Sequence, residues 1–320
     1  MATVLDPRVI ELATADGDLT ARFATHAGMV GCSLRHRGEE LLGLGRGLDA
    51  YVDEGKVFGI PLLYPWANRL AGWTYEACGR RVELDRGSPL LHGDEHCLPI
   101  HGALAGASSW RVVERGDTSL TATLDFGAHP ELLAVFPYPH VLELAITLTD
   151  DTLTIATTVA AGDAPVPLSF GFHPYLAPPG VAREDWWIEL PARTALELDD
   201  HGLPTGRATE LEAEAFALGT RTYDDLFAVA PDAPFSVTAA GRHATVEMTA
   251  GYPYAQVFAP PDQAVVCFEP MTAPVDALRS HDGLRSVPAG GSARATFALH
   301  VEDVSVDGAR PARRPARRSP

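Results

Sequence analysis

No apolar run in this 320-residue sequence approaches the roughly 18 residues of a membrane-spanning helix; the longest resemble AVVCF at 264–268. A membrane role is therefore not expected. Basic charge is scarce, with 25 Lys and Arg against 42 Asp and Glu and a net charge of −17. The closing ARPARRPARRSP (309–320) holds five Arg and no acid, so the residues before it carry −22. Such an acidic body repels phosphate backbones, and no nucleic-acid partner is expected. Pro and Arg without apolar residues cannot bury a core, so 309–320 reads as a disordered tail, either simply solvated or a handle for an anionic partner.

Cysteine is sparse as well. Cys32, Cys78, Cys97 and Cys267 lie far apart with no C-x-x-C, which excludes a disulfide framework and a zinc ribbon and leaves small buried residues as the reading. The opening MATVLDPRVIELATADGD lacks the basic start and apolar stretch of a secretory signal, so a cytoplasmic protein is expected. Nucleotide chemistry and serine acyl transfer lack support, since there is no Gly-rich phosphate loop, kinase signature or G-x-S-x-G elbow.

What is present is a globular composition, 46% hydrophobic and 21% charged, patterned at period two. Alternation recurs at 19–25, 119–126, 140–149, 152–159, 243–250 and 293–302, with further β-rich runs at 110–114, 185–191, 234–239 and 255–260. Asp150-Asp151 separates two alternating runs as a tight hairpin would. Helical periodicity is nearly absent; TELEAEAFAL at 209–218 is the one candidate. No interior composition shift or fixed repeat divides the chain. The expected fold is all-β: a large antiparallel β-sandwich with long loops and little helix, one domain over 1–308 followed by the tail.

Four segments break the alternation and set titratable or planar groups beside aromatics. In GIPLLYPWANRLAG (59–72), Tyr64 and Trp66 could face a sugar's C–H surface while Asn68 and Arg69 supply donors; a structural Trp with a surface Arg would look the same. LHGDEHCLPIHGALAG (91–106) gathers His92, Asp94, Glu95, His96, Cys97 and His101, which invites a metal reading, but its spacings match no familiar finger and H-E-x-x-H is absent. A polar loop in which His101, beside Gly102, has a directed role is preferred. In VPLSFGFHPYLAPPG (166–180), His173 ends an apolar run before Pro174, flanked by Phe172 and Tyr175. It is either a structural histidine or an acid catalyst with a tuned pKa. In QAVVCFEPMTAPVDALRS (263–280), Glu269 follows the apolar VVCF. Desolvation there would raise its pKa and make a base, unless Arg279 or Arg285 pairs with it. A carboxylate, two imidazoles and hydroxyl-binding groups suit proton transfer on a polyol.

These residues also carry a resemblance. PLLYPWANRLAG, IHG at 100–102, FHPYL at 172–176, LDDHGLPTG at 198–206, TYDDLF at 222–227 and FEPMT at 268–272 together resemble, in order and spacing, the aldose 1-epimerase (galactose mutarotase) family, from about residue 10 to 302. The resemblance implies a large antiparallel β-sandwich that interconverts sugar anomers without metal, nucleotide or redox cofactor. It implies Glu269 as general base and His173 as general acid, with His101 assisting at the ring oxygen. Arg69 and Asp224 would bind sugar hydroxyls, with Asp225 an alternative to Asp224; Asn68 matches the family's Asn-Arg pair. Trp66 and Tyr175 are further substrate-binding candidates, and the acid and base are expected to face each other across a pyranose. ALAGASSW after IHG has no Arg or Lys, whereas the family branch acting on hexose 6-phosphates carries extra Arg. A free aldohexose such as glucose or galactose is therefore expected, with a phosphosugar and a non-catalytic sugar binder as alternatives. The expected partner is a small-molecule sugar, and the chain is expected to be a monomer or homodimer.

Overall fold

The computed structural model describes residues 8–54, 57–104 and 110–304. The tail at 309–320 and most of the ALAGASSW stretch lie outside the described residues. Alternation becomes sheet directly: in His140–Thr149 every second side chain is buried, so one face of the strand meets the core. Asp150 and Asp151 turn the chain back and pair Thr149 with Thr152, which sets the register of the next strand, Thr152–Ala161.

These two strands sit within a nine-stranded sheet. Its spatial order is Arg111–Arg115, Ser119–Asp125, His140–Thr149, Thr152–Ala161, Ser292–Asp303, Arg242–Ala250, Pro234–Ala239, Trp187–Leu190 and Glu214–Ala217. A second, eight-stranded sheet runs Pro204–Leu211, Arg193–Leu198, Tyr223–Val229, Tyr254–Ala259, Val266–Met271, Gly171–Phe172 and Leu62–Leu63, with Tyr175–Leu176 also paired to Val266–Met271. Every ladder between these strands is antiparallel. The sheets face one another through aromatic pairs, Phe172 on Phe297 at 5.0 Å and Phe235 on Phe268 at 5.6 Å. Four N-terminal strands between Val9 and Glu40 form a further small sheet. Helix among the described residues is confined to short pieces such as Leu48–Glu54, Pro130–Val135 and Ala277–Ser280.

Two expectations change. TELEAEAFAL is not helical: its residues end the edge strand Pro204–Leu211 and form Glu214–Ala217, which pairs with Trp187–Leu190 and buries Phe216. Ala, Glu and Leu favour helix locally, but the segment also alternates, and the available sheet edge decides the outcome. Glu269, expected just past its strand, lies inside Val266–Met271, where all six residues are buried. Gln256 is its cross-strand partner.

Candidate active site

The segments that interrupt the alternation are tied to one another where Val266–Met271, Gly171–Phe172 and Leu62–Leu63 pair in the eight-stranded sheet. After Leu62–Leu63 the chain runs through a buried segment to Asn68, which adopts a left-handed φ of 55° that Asn tolerates better than most residues. Asn68 Oδ1 accepts the Arg69 N–H, and the Asn68 carbonyl accepts the His101 N–H, both at 2.9 Å. Asn68 thus acts on the site by tying two functional segments together. His101 is itself left-handed, and the next residue must be Gly: φ at Gly102 is +70°, and a Cβ would lie 2.1 Å from the Tyr64 carbonyl oxygen.

His173 follows the short strand Gly171–Phe172, anchored by its N–H to the Pro61 carbonyl. Its ring stacks on Tyr175 at 4.2 Å and 10°, meets Phe258 edge-on, and stands perpendicular to His101 at 5.7 Å. Its Nε2 lies 3.1 Å from Glu269 Oε1, and both side chains are almost fully buried. His173 Nδ1 and Glu269 Oε2 have no hydrogen-bond partner among the described residues. Arg279 and Arg285 do not serve Glu269: the first bonds the Thr74 carbonyl and lies beside Asp276, the second bonds the Gly251 and Thr272 carbonyls.

Burial sets the protonation of this pair. Desolvation, reinforced by Asp224 and opposed by Arg69, holds the Glu269 carboxyl well above the usual carboxylate range. Desolvation, reinforced by His101, holds the His173 imidazolium well below its usual value. Each shift alone removes a charge, and together they favour a net-neutral pair sharing one proton between Oε1 and Nε2. Enclosure, then the Arg69 charge, pushes His101 down to about 3, so its ring is neutral at physiological pH. The residue as a whole is half-buried, and the solvent it meets works against that fall.

A cavity of about 550 Å³, within the usual range for a small-molecule site, opens at Arg69 and Asp224, the two charged groups that act on Glu269. Arg69, Glu95, His96, Asp199, His201, Asp224 and Asp225 are among its lining residues; His173, Glu269 and His101 are not, and the first two of these are almost fully buried. The cavity and the pair are linked through Gln256, which is fully buried, pairs across the ladder with Glu269 and donates from Nε2 to Asp224 Oδ1 at 2.6 Å. Gln256 Oε1 has no partner among the described residues. That bond distinguishes Asp224, which reaches toward Glu269, from Asp225, whose carboxyl is raised by burial. Sequence reasoning missed Gln256; the signal was an amide inside the otherwise apolar AQVFAP.

Trp66 and Tyr175 occupy other places than expected. Trp66 is fully buried, bridges Ser169 and packs on Tyr75, so it offers no face to a sugar. Its indole belongs to the core because the segment around it is enclosed on all sides. Tyr175 is buried against Val265 and Cys267 and meets the His173 ring rather than the cavity. The acid and base do not face each other across a ring's width either, since 3.1 Å leaves no room for a pyranose between them.

Among the described residues no three His, Cys, Asp or Glu side chains come together as a metal site. In the 91–106 loop Asp94 is engaged by Arg69, Cys97 is exposed, and His101 turns to His173. The chemistry that this arrangement offers is proton transfer by a buried carboxyl and imidazole, next to a polar cavity with directed donors and acceptors.

Known proteins share this architecture. A galactose mutarotase-like protein of Clostridium acetobutylicum superposes with a TM-score of 0.76 at 18% identity, covering 90% of this chain and 94% of that one. Galactose 1-epimerase of Lactobacillus acidophilus NCFM gives 0.70 at 14% identity, covering 91% and 93%. At such identities the likeness establishes the fold. In sequence, YihR of Escherichia coli (strain K12) is 25% identical over 253 residues, 75% of this chain and 78% of that protein. The aldose 1-epimerase family profile matches residues 11–300, and the chain belongs to that family.

Proposed function

We propose that this protein is an aldose 1-epimerase that interconverts the α and β anomers of a free aldohexose such as glucose or galactose. The observation that carries the reading is the buried His173–Glu269 contact at 3.1 Å, adjoining a cavity lined by Arg69 and Asp224. A cyclic hemiacetal opens when its C1 hydroxyl loses a proton while its ring oxygen gains one. Both oxygens are bonded to C1 and are close neighbours. An acid and a base in mutual contact therefore suit them better than two groups on opposite sides of the ring.

The net-neutral pair has two ways to place its proton, and these are the two ends of the reaction. With carboxylate and imidazolium, Glu269 takes the C1 hydroxyl proton as His173 delivers one to the ring oxygen; the C1–ring oxygen bond breaks and C1 becomes a carbonyl carbon. Carboxylic acid and neutral imidazole remain. After rotation about C1–C2 the groups exchange roles: His173 withdraws the hydroxyl proton of the attacking oxygen, Glu269 protonates the carbonyl oxygen, and the ring closes on the other face. No net charge enters or leaves the buried site. His101, neutral, assists the ring oxygen by a hydrogen bond, while Arg69 and Asp224 orient hydroxyls in the cavity.

A sugar-binding protein without activity would use exposed aromatic platforms. Tyr64, Trp66 and Phe172 are buried and cannot serve as such. Polarimetry on fresh α-D-glucose and α-D-galactose tests the proposal: the wild type accelerates mutarotation, and Glu269→Gln loses that acceleration. An unchanged rate in the variant would remove the base and the reading with it.

A further inference from the structure

Arg69 is the one Arg or Lys among the described residues that line the cavity, and it is not free to act as an anion clamp. Its Nε lies 2.9 Å from Asp94 Oδ2, with side-chain exposures of 7% and 2%. Glu95 Oε1 approaches Nη2 at 4.0 Å. Asp94 is fixed in turn, because its other oxygen accepts the N–H groups of His96 and Leu98, each at 2.9 Å. On another side the turn at Asp199–Leu203 presses on the guanidinium: a Cβ at Gly202 would lie 2.0 Å from Arg69 Nη1. That turn brings Asp199, held as a carboxylate by the N–H groups of Leu203 and His201.

We infer that Asp94 determines the charge class of substrate: by occupying Arg69 in a buried ion pair it leaves the guanidinium able to bind hydroxyls and deprives anionic sugars of a counter-charge. The inference rests on the proposed anomerase reading and deepens it. An incoming phosphate or carboxylate meets a cation already compensated at its Nε edge, with Glu95, Asp199, Asp200, Asp224 and Asp225 as further like charges around the same cavity. Glu197 is discounted from that set because Arg207 pairs with it. A neutral hydroxyl is affected by neither, since the guanidinium donors not spent on Asp94 still reach toward the cavity.

The test compares kcat/KM for the anomerisation of α-D-glucose, α-D-glucose 6-phosphate and α-D-glucuronate, followed by NMR exchange, in the wild type, Asp94→Asn and Glu95→Gln. The amide keeps an acceptor for His96 and Leu98 but carries no charge. In Asp94→Asn the anion-to-neutral ratio should rise about ten- to a hundredfold, mainly through a lower KM for the anions, in keeping with the worth of a charge-assisted hydrogen bond. The rise should shrink with added salt. Glu95→Gln alters an exposed side chain 4.0 Å from Arg69, threatens folding little, and should move the ratio about two- to threefold in the same direction. If Asp94 merely supported the loop, both substrate classes would decline together and the ratio would stay fixed. A fixed ratio in both variants, or a wild type that prefers the anions, overturns the inference. A wild type that accelerates anomerisation of none of the three sugars defeats the functional reading instead, so the two failures are distinguishable.

Discussion

The two large sheets are built from the same kind of ladder but solve different problems. In the nine-stranded sheet, long strands such as His140–Thr149 bury one face and expose the other, so apolar side chains go inward and polar ones go to water. At the centre of the eight-stranded sheet, Val266–Met271 is buried on both faces, and polar groups sit within it. Glu269 Oε2, Gln256 Oε1 and His173 Nδ1 are all buried without partners among the described residues. Each such atom costs about 1–3 kcal/mol. Among the described residues the nine-stranded sheet buries unpartnered atoms as well, Thr157 Oγ1 and Arg242 Nε, but only the eight-stranded one brings a buried carboxyl and a buried imidazole into contact, so under the proposed function substitutions in the two should separate activity from stability.

Glu269→Gln gives the largest separation. The amide preserves shape inside a strand already favouring an uncharged side chain, but it cannot take a proton. Mutarotation should fall by about 10²- to 10⁴-fold, roughly 3–5 kcal/mol of barrier, while the thermal midpoint barely moves. Polarimetry and calorimetry on the same sample measure both. Leu144→Ala is the converse: Leu144 is buried on the inner face of His140–Thr149, and its truncation should cost about 2–5 kcal/mol in a urea titration. The folded fraction should keep its kcat/KM.

The same contrast shows where the sequence was informative. The run at 140–149 and its partner at 152–159 appear as strands because one exposed face imposes period two, and the hairpin pair Asp150-Asp151 is where it was expected. In the site-bearing sheet that signal vanishes. A strand buried on both sides reads as an apolar run, so Glu269 looked like the residue after a strand rather than a member of one. His173, Glu269, His101 and Arg69 were identifiable as chemistry, yet their mutual geometry comes from ladders between distant segments. Gln256 was missed, and Asp94 was weighed only as a metal ligand, because their roles exist only through partners far along the chain, Asp224 and Glu269 for one and Arg69 for the other.

His140 probes the border between the two regions. It belongs to the nine-stranded sheet, but its ring meets Tyr64, with Nε2 2.6 Å from the Tyr64 hydroxyl and Nδ1 donating to the Tyr138 carbonyl. Burial, partly offset by that carbonyl, pushes its pKa down to about 4. A histidine in the unfolded chain protonates near 6.5, so on acidification the unfolded state takes up the proton first. Stability from this group is fully present above pH 6.5 and is lost as pH falls toward 4, by no more than about 3 kcal/mol. Urea midpoints across that window should fall less steeply in His140→Gln, which does not titrate, than in the wild type. Equal slopes would mean that other groups govern the acid limb.

The smallest effect concerns Trp66, which stands in the motif-rich PLLYPWANRLAG beside Asn68 and Arg69 and yet belongs to the core. Trp66→Phe keeps an aromatic ring on Tyr75 and removes an indole N–H that has no partner among the described residues, so lost contact area and relieved desolvation oppose each other. The net change should be about 1–2 kcal/mol of stability. Because the side chain is sealed from the cavity, KM for glucose should be the same as in the wild type. A several-fold rise in KM at unchanged kcat would put an aromatic face against the sugar after all, and would erase the division between a sheet that stabilises and one that reacts.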